Sequence, residues 1–270
     1  MTEATMKTRK TFNRLLFALP ILLLGCAISE ETATPPATST STSTPIVAII
    51  NHPRPELAVD FGPFEDAGCP ANEQGLRYCE ADSPLAALGC DRIRKPSDLF
   101  GGLGPSLPIA VCLVEPFRHS DDPELYEQIE AEGEYFYRSG GLMPVYTRYV
   151  VSQDDQFRLI KTEDEFRDVF APIETSEEAL SYSLAMRKLS AYYGLEPNPE
   201  YEYFVDQIED THVEMATDGY LVHLFYYQVF GCGPHETYAI VVQVTEQGHI
   251  EEISEDPIYK DPSEDDLCVD

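Results

Sequence analysis

Residues 175–194, TSEEALSYSLAMRKLSAYYG, decide the class of fold. Thr175 followed three positions later by Glu178 is a capping box, in which each residue's side chain satisfies the other's free backbone N–H. Ala179, Tyr182, Met186, Leu189 and Tyr193 then recur at helical spacing, and Gly194 stands at the stop. The pattern predicts a helix over 176–193. Strand-like segments follow at 201–205, 212–215, 220–230, 236–244 and 249–253. The turns between the later ones carry Thr217-Asp218-Gly219, Gly231 to Pro234 and Glu246-Gln247-Gly248. One long helix and an antiparallel meander give an α+β class, with the helix packed across one sheet face.

Moving towards the N-terminus, 145–151 and 156–161 form a strand pair around the turn 152–155. Thr162 and Glu165 make a second capping box for a short helix ending at Phe170. Asp122-Pro123 opens another helix through Ile129. Before residue 120 the chain is rich in Pro, Gly and Cys. Ile46 to Ile50 and Leu107 to Val114 read as strands, and Ser83-Pro84 as the start of a short helix that ends at Gly89. The organisation expected is a signal segment 1–25, a linker 26–45, a loop-rich cysteine-containing subdomain 46–119, and an α+β domain 120–270.

Six cysteines follow Cys26: Cys69, Cys79, Cys90, Cys112, Cys232 and Cys268. An even number in an exported chain implies disulfides. Six cysteines allow 15 connectivities; short loops favour Cys69–Cys79 and Cys90–Cys112, which leaves Cys232–Cys268 to pin the acidic C-terminal tail. Each bridge contributes on the order of 2–4 kcal/mol. No C-x-x-C pair or zinc-like spacing occurs, and no motif implies a cofactor or a metal.

Export is written at the other end. Lys7, Arg9, Lys10 and Arg14 form a basic region, and Leu15 to Leu24 an apolar run interrupted by Pro20. The run is about half the roughly 20 apolar residues a membrane-spanning helix needs. Leu23-Leu24-Gly25-Cys26 resembles the lipobox of bacterial lipoproteins. The resemblance implies cleavage before Cys26, lipidation of its sulfur and anchoring to the outer face of a bacterial membrane. Ala27 in place of Asp implies the outer membrane where the cell has two. Ala33 to Pro45 is wholly Thr, Ser, Pro and Ala, a composition that cannot bury enough apolar surface to fold. The 19 residues from 27 to 45 reach roughly 60 Å when extended. The formal charge of the whole chain is −30. Without residues 1–25 there remain 14 Lys and Arg against 47 Asp and Glu, a charge of −33. That balance excludes nucleic acid as a partner, because binding phosphate backbones needs clustered cations.

Motifs for chemistry are few. Cys232-Gly233-Pro234-His235 resembles a thioredoxin-type redox loop, but the second cysteine is missing. The residues after it favour a strand over the helix that would activate the thiol, so it reads as a turn holding a structural half-cystine. His223 alternates onto one strand face with Leu221, Phe225, Tyr227 and Val229 and reads as a sheet histidine. His52, His119, His212 and His249 sit near turns and element ends without partner spacing. No G-x-S-x-G, H-E-x-x-H or P-loop is present, and none of the acidic runs follows the EF-hand order. Tyr201, Tyr203, Phe204, Phe225, Tyr226, Tyr227 and Phe230 lie on expected strands, where they pack a core or face a ligand. The order of elements over 163–255 resembles the small helix-on-sheet modules of bacterial envelope proteins, PepSY-like and cystatin-like domains. That likeness rests on element order and carries no functional residue across. The function expected is a tethered, non-catalytic binding or inhibitory module whose partner is an envelope protein, a peptide or a glycan. The alternative is an extracytoplasmic hydrolase with residues scattered along the chain.

Overall fold

Ile109–Val114 is an unbroken apolar run, IAVCLV, and it is buried on both faces. Ile109, Val111 and Leu113 point into one core, while Ala110, Cys112 and Val114 point into another. A strand covered on both sides has no reason to alternate with polar residues, which explains its composition. The computed structural model describes residues 47–141 and 143–269, so the signal segment 1–25, Cys26 and the linker 26–45 lie outside the described residues. The described residues belong to one unit, Thr44–Asp270.

Ile109–Val114 pairs antiparallel with Val145–Gln153, in a six-stranded sheet that also holds Arg77–Tyr78, Arg92–Arg94, Tyr137–Ser139 and Gln156–Ile160. This sheet crosses the boundary expected between 119 and 120. The loop-rich segment and the strands after it share one hydrogen-bonded ladder and form no separate subdomains. Beneath one face, Phe64, Leu85, Cys69, Cys90 and Cys112 fill a small core among the loops. The second sheet is antiparallel, in the order His212–Ala216, Gly219–Tyr227, Glu236–Val244, Ile250–Lys260 and Glu202–Tyr203. Its first four strands follow one another along the chain, interrupted only by Gly231–Cys232, a two-residue strand that pairs with Cys268–Val269. Ala48–Ile50 forms a parallel pair with Gln207–Glu209.

Both capping boxes form. Thr162 and Glu165 open the helix Glu163–Phe170, and Thr175 and Glu178 open Ser176–Met186. The latter is shorter than expected. It has 11 residues, and Arg187 turns into an extended conformation. Leu189 and Tyr193, expected on its apolar face, leave it because better hydrogen-bond partners are offered elsewhere. Ser190 exchanges two backbone bonds with Phe225 at 2.8 and 2.9 Å, and Tyr192 O accepts from Thr211 N at 2.9 Å while Tyr192 N donates to Thr211 Oγ1 at 3.0 Å. Nor does the helix lie on one sheet face alone. Every residue from Ala179 to Met186 is buried, in a core shared by Tyr149 and Val151 of the six-stranded sheet and Val222, Ile240 and Val242 of the five-stranded one. Tyr149 Oη donates to Ala185 O at 2.7 Å, and Tyr182 Oη to Gly248 O at 2.9 Å. Burial raises the pKa of both phenols, so both stay protonated as donors.

All three disulfides form with the pairing that short loops favour: Cys69–Cys79, Cys90–Cys112 and Cys232–Cys268. Among the described residues no helix is long and apolar enough to cross a membrane.

Candidate functional site

Where the chain leaves the central helix at Arg187, it becomes the wall of a cleft of about 1020 Å³. Such a volume lies at the upper end of the roughly 300–1,000 Å³ typical of ligand pockets. Three segments supply its cations: Arg54 after the first strand, Arg94 and Lys95 at the end of Arg92–Arg94, and Arg187 with Lys188 after the helix. Five of the 14 basic residues beyond residue 25 thus line one cavity, and no Asp or Glu lines it.

Two of these cations are partly neutralised from outside. Arg187 pairs with Glu163 at 2.6 Å, and Lys95 with Asp98 at 2.8 Å. The Lys95 hydrogen bond and charge hold the Asp98 carboxyl below its usual range, with a smaller contribution from Arg54. Arg54, Arg94 and Lys188 form no ion pair among the described residues, and Lys188 Nζ lies 5.4 Å from the centre of the Phe230 ring. Seven aromatic residues, Phe100, Tyr137, Tyr192, Tyr193, Tyr226, Tyr227 and Phe230, share the rest of the lining with aliphatic side chains such as Leu99, Leu184 and Leu189 and with Ser97 and Ser190. Burial, with a smaller push from Asp210, moves Tyr193 up to about 12. Tyr227 donates to Glu264 at 2.6 Å and is likewise pushed up to about 12, chiefly by burial. Both present neutral hydroxyls at neutral pH.

The expected aromatic strand residues therefore divide. Tyr226, Tyr227 and Phe230 reach the cleft. Phe225 is buried and stacks on Tyr192 at 4.8 Å, while Tyr201, Tyr203 and Tyr259 cluster with one another. The cations were not singled out in the sequence. The signal that marks them is the pairs Arg94-Lys95 and Arg187-Lys188, which are the two places after residue 25 where basic residues adjoin.

The histidines also divide. His119 bonds Asp91 at 2.7 Å. His235 is buried, and both its ring nitrogens face carbonyl oxygens, Gln228 O at 2.8 Å and Leu267 O at 3.0 Å. Cys232 beside it is consumed by its disulfide, so the Cys232–His235 string is structural. The bridges occupy all six cysteines after Cys26, which removes them as nucleophiles. His52 and His212, which showed no partner spacing in sequence, come together with the sheet histidine His223 as a column of stacked rings at 4.2 and 4.0 Å. Glu209 and Glu214 flank the column, and its ligand atoms lie close enough to hold a metal ion. Register explains the meeting, because His212 pairs directly with His223 across two neighbouring strands. His223 stands on the sheet face away from Val222 and Leu224, as its alternation implies.

No family model, no curated protein and no solved structure matches the chain.

Proposed function

We propose that the protein is an extracytoplasmic binding module, tethered through Cys26 to the outer face of a bacterial membrane, whose cleft takes an anionic ligand. The observation that carries this reading is the charge of the cleft. In a chain of net charge −30, five cations and no carboxylate line it. Elsewhere the acidic surface repels anions, so the cleft is an attractive well in a repulsive field, and low-dielectric walls focus such a field. The aromatic lining gives the ligand's body flat, apolar surface to pack on, and neutral tyrosine hydroxyls offer hydrogen bonds. The ligand class that fits is an anionic envelope glycan or acidic peptide segment.

A binding role is favoured over hydrolysis by the lining of the cleft, which among the described residues holds no Asp, Glu, His or Cys to serve as general acid, general base or thiol nucleophile. Three disulfides and a lipobox resemblance at Cys26 support the exported, anchored setting.

The test is a titration of the full chain with an oligouronide and a Glu-rich peptide, each beside a neutral counterpart. Binding of at least one anionic probe should weaken with rising salt and fall about tenfold or more when Arg54, Arg94 and Lys188 are all changed to Glu. Equal affinity for charged and neutral probes, or binding indifferent to the triple reversal, would overturn the reading.

A further inference from the structure

The column of histidines points to a second site, whose ligands are none of the cleft's residues. We infer that the chain binds one divalent transition-metal ion through His52 Nε2, His212 Nε2 and the Glu209 carboxylate. Glu209 Oε2 lies 3.2 Å from His52 Nε2 and 3.8 Å from His212 Nε2. A tetrahedral zinc ion with bonds near 2.1 Å holds its ligand atoms about 3.4 Å apart. The observed separations bracket that value.

The proton arrangement at His212 calls for a cation. Its Nδ1–H donates to Asp210 O at 2.8 Å, so in the neutral ring Nε2 carries a lone pair. That lone pair faces oxygens of two carboxylates, Glu209 at 3.8 Å and Glu214 at 3.6 Å. Electron pairs facing one another repel, and a cation at Nε2, either a bound metal ion or the proton of an imidazolium, converts the repulsion into attraction. A backbone carbonyl that fixes the far nitrogen is also the usual way a ligating imidazole is oriented. The buried Nε2 of His223, whose ring stacks on His212, has no hydrogen-bond partner among the described residues and lies 4.0 Å from Glu214 Oε2.

The ligands are in place before an ion arrives. Asp210, fully buried, accepts from Asn51 Nδ2 at 3.1 Å and from the backbone N–H groups of His52, Gly194 and Leu195 at 3.3, 2.7 and 3.1 Å. These bonds tie the segment carrying His52 to the one carrying Glu209 and His212. Glu209 stays partly exposed, which leaves an entry path. Two imidazoles and a carboxylate suit ions of the zinc, copper and nickel group, not calcium or magnesium, which take oxygen ligands. A neighbouring group, His212, Glu214 and His223, shares the same Nε2 and has the longer separations of 3.6 and 4.0 Å. One nitrogen lone pair serves one ion, so the tighter group takes it.

The experiment is a titration of untagged full chain with Zn²⁺, read by calorimetry and by thermal unfolding, with Ca²⁺ as comparator. About one ion should bind per chain with a rise in Tm. His212→Asn, His52→Asn and Glu209→Gln should each weaken binding by at least about tenfold. Glu209→Gln changes a partly exposed side chain and keeps a variant available if a histidine substitution unfolds the protein. Absence of Zn²⁺ binding up to about 1 mM, displacement of Zn²⁺ by equal Ca²⁺, or undiminished binding in Glu209→Gln would overturn the site. Loss in His223→Asn with none in His52→Asn would overturn this choice of ligands.

Discussion

Arg148 shows how a single residue fixes a local arrangement. Its side chain is 6 % exposed, midway along Val145–Gln153, where a lone guanidinium would be costly. Nε donates to Glu134 O at 2.8 Å and Nη2 to Glu132 Oε2 at 2.7 Å, which fastens the end of the helix Pro123–Glu132 to the sheet. The Arg148 hydrogen bond holds the Glu132 carboxyl below its usual range. A depressed carboxylate stabilises the fold fully above its unfolded pKa of about 4.3 and loses that contribution as pH falls through the folded value. Glu132→Gln is therefore expected to cost about 1–2 kcal/mol at pH 7, with a smaller gap between wild type and variant at pH 3. Urea unfolding at the two pH values measures both; a difference that grows on acidification would contradict the assignment. At the same scale, Asp154 and Asp155 turn the hairpin with both residues at positive φ, 53° and 57°. A two-residue hairpin loop demands this, and Asp tolerates it better than most side chains.

Among elements, the central helix Ser176–Met186 depends on how closely its neighbour approaches. The turn Asp98–Gly102 packs against it, Ser181 Oγ donates to Leu99 O at 2.5 Å, and Gly102 lies against the helix backbone. A Cβ at Gly102 would meet Glu177 O at 2.6 Å as well as Ser181 Oγ. Backbone cannot yield as a side-chain tip can, so Gly102→Ala should destabilise by about 1–3 kcal/mol, as overpacking does. A change under about 0.5 kcal/mol in chemical unfolding would show that the turn is free to move. The start of this helix was legible because a capping box acts over four residues through bonds the chain makes with itself. Its end was not. Whether residues 187–193 continue as helix depends on competing partners at Thr211 and Phe225, which lie 19 and 35 positions away from Tyr192 and Ser190 respectively. Burial from both sheets also hides the amphipathic stripe, because a helix covered all round has no polar face to define one.

For the whole molecule, charge and attachment belong together. A domain of formal charge −33 beyond residue 25 is repelled by anionic headgroups, so retention at a membrane rests on the lipid proposed at Cys26. Cys26→Ser should move the protein from the membrane to the soluble fraction and abolish incorporation of labelled palmitate; a variant that stays membrane-bound and labelled would refute lipidation there. The sequence by itself determined the features whose physics is short-ranged. Two capping boxes, the hairpin at 152–155 and the succession of the first four strands of the second sheet were readable from neighbouring residues, whereas loop length only favoured, among 15 connectivities, the cysteine pairing that the fold makes. Tertiary structure alone decided that the six-stranded sheet spans residue 119, that cations from three segments share one cleft, and that His52 meets Glu209 across 157 positions. Local bonds and loop closure leave their mark in composition and spacing. The meeting of distant segments is set by how two sheets and a buried helix fill a common core, and that information is spread over every residue that packs there.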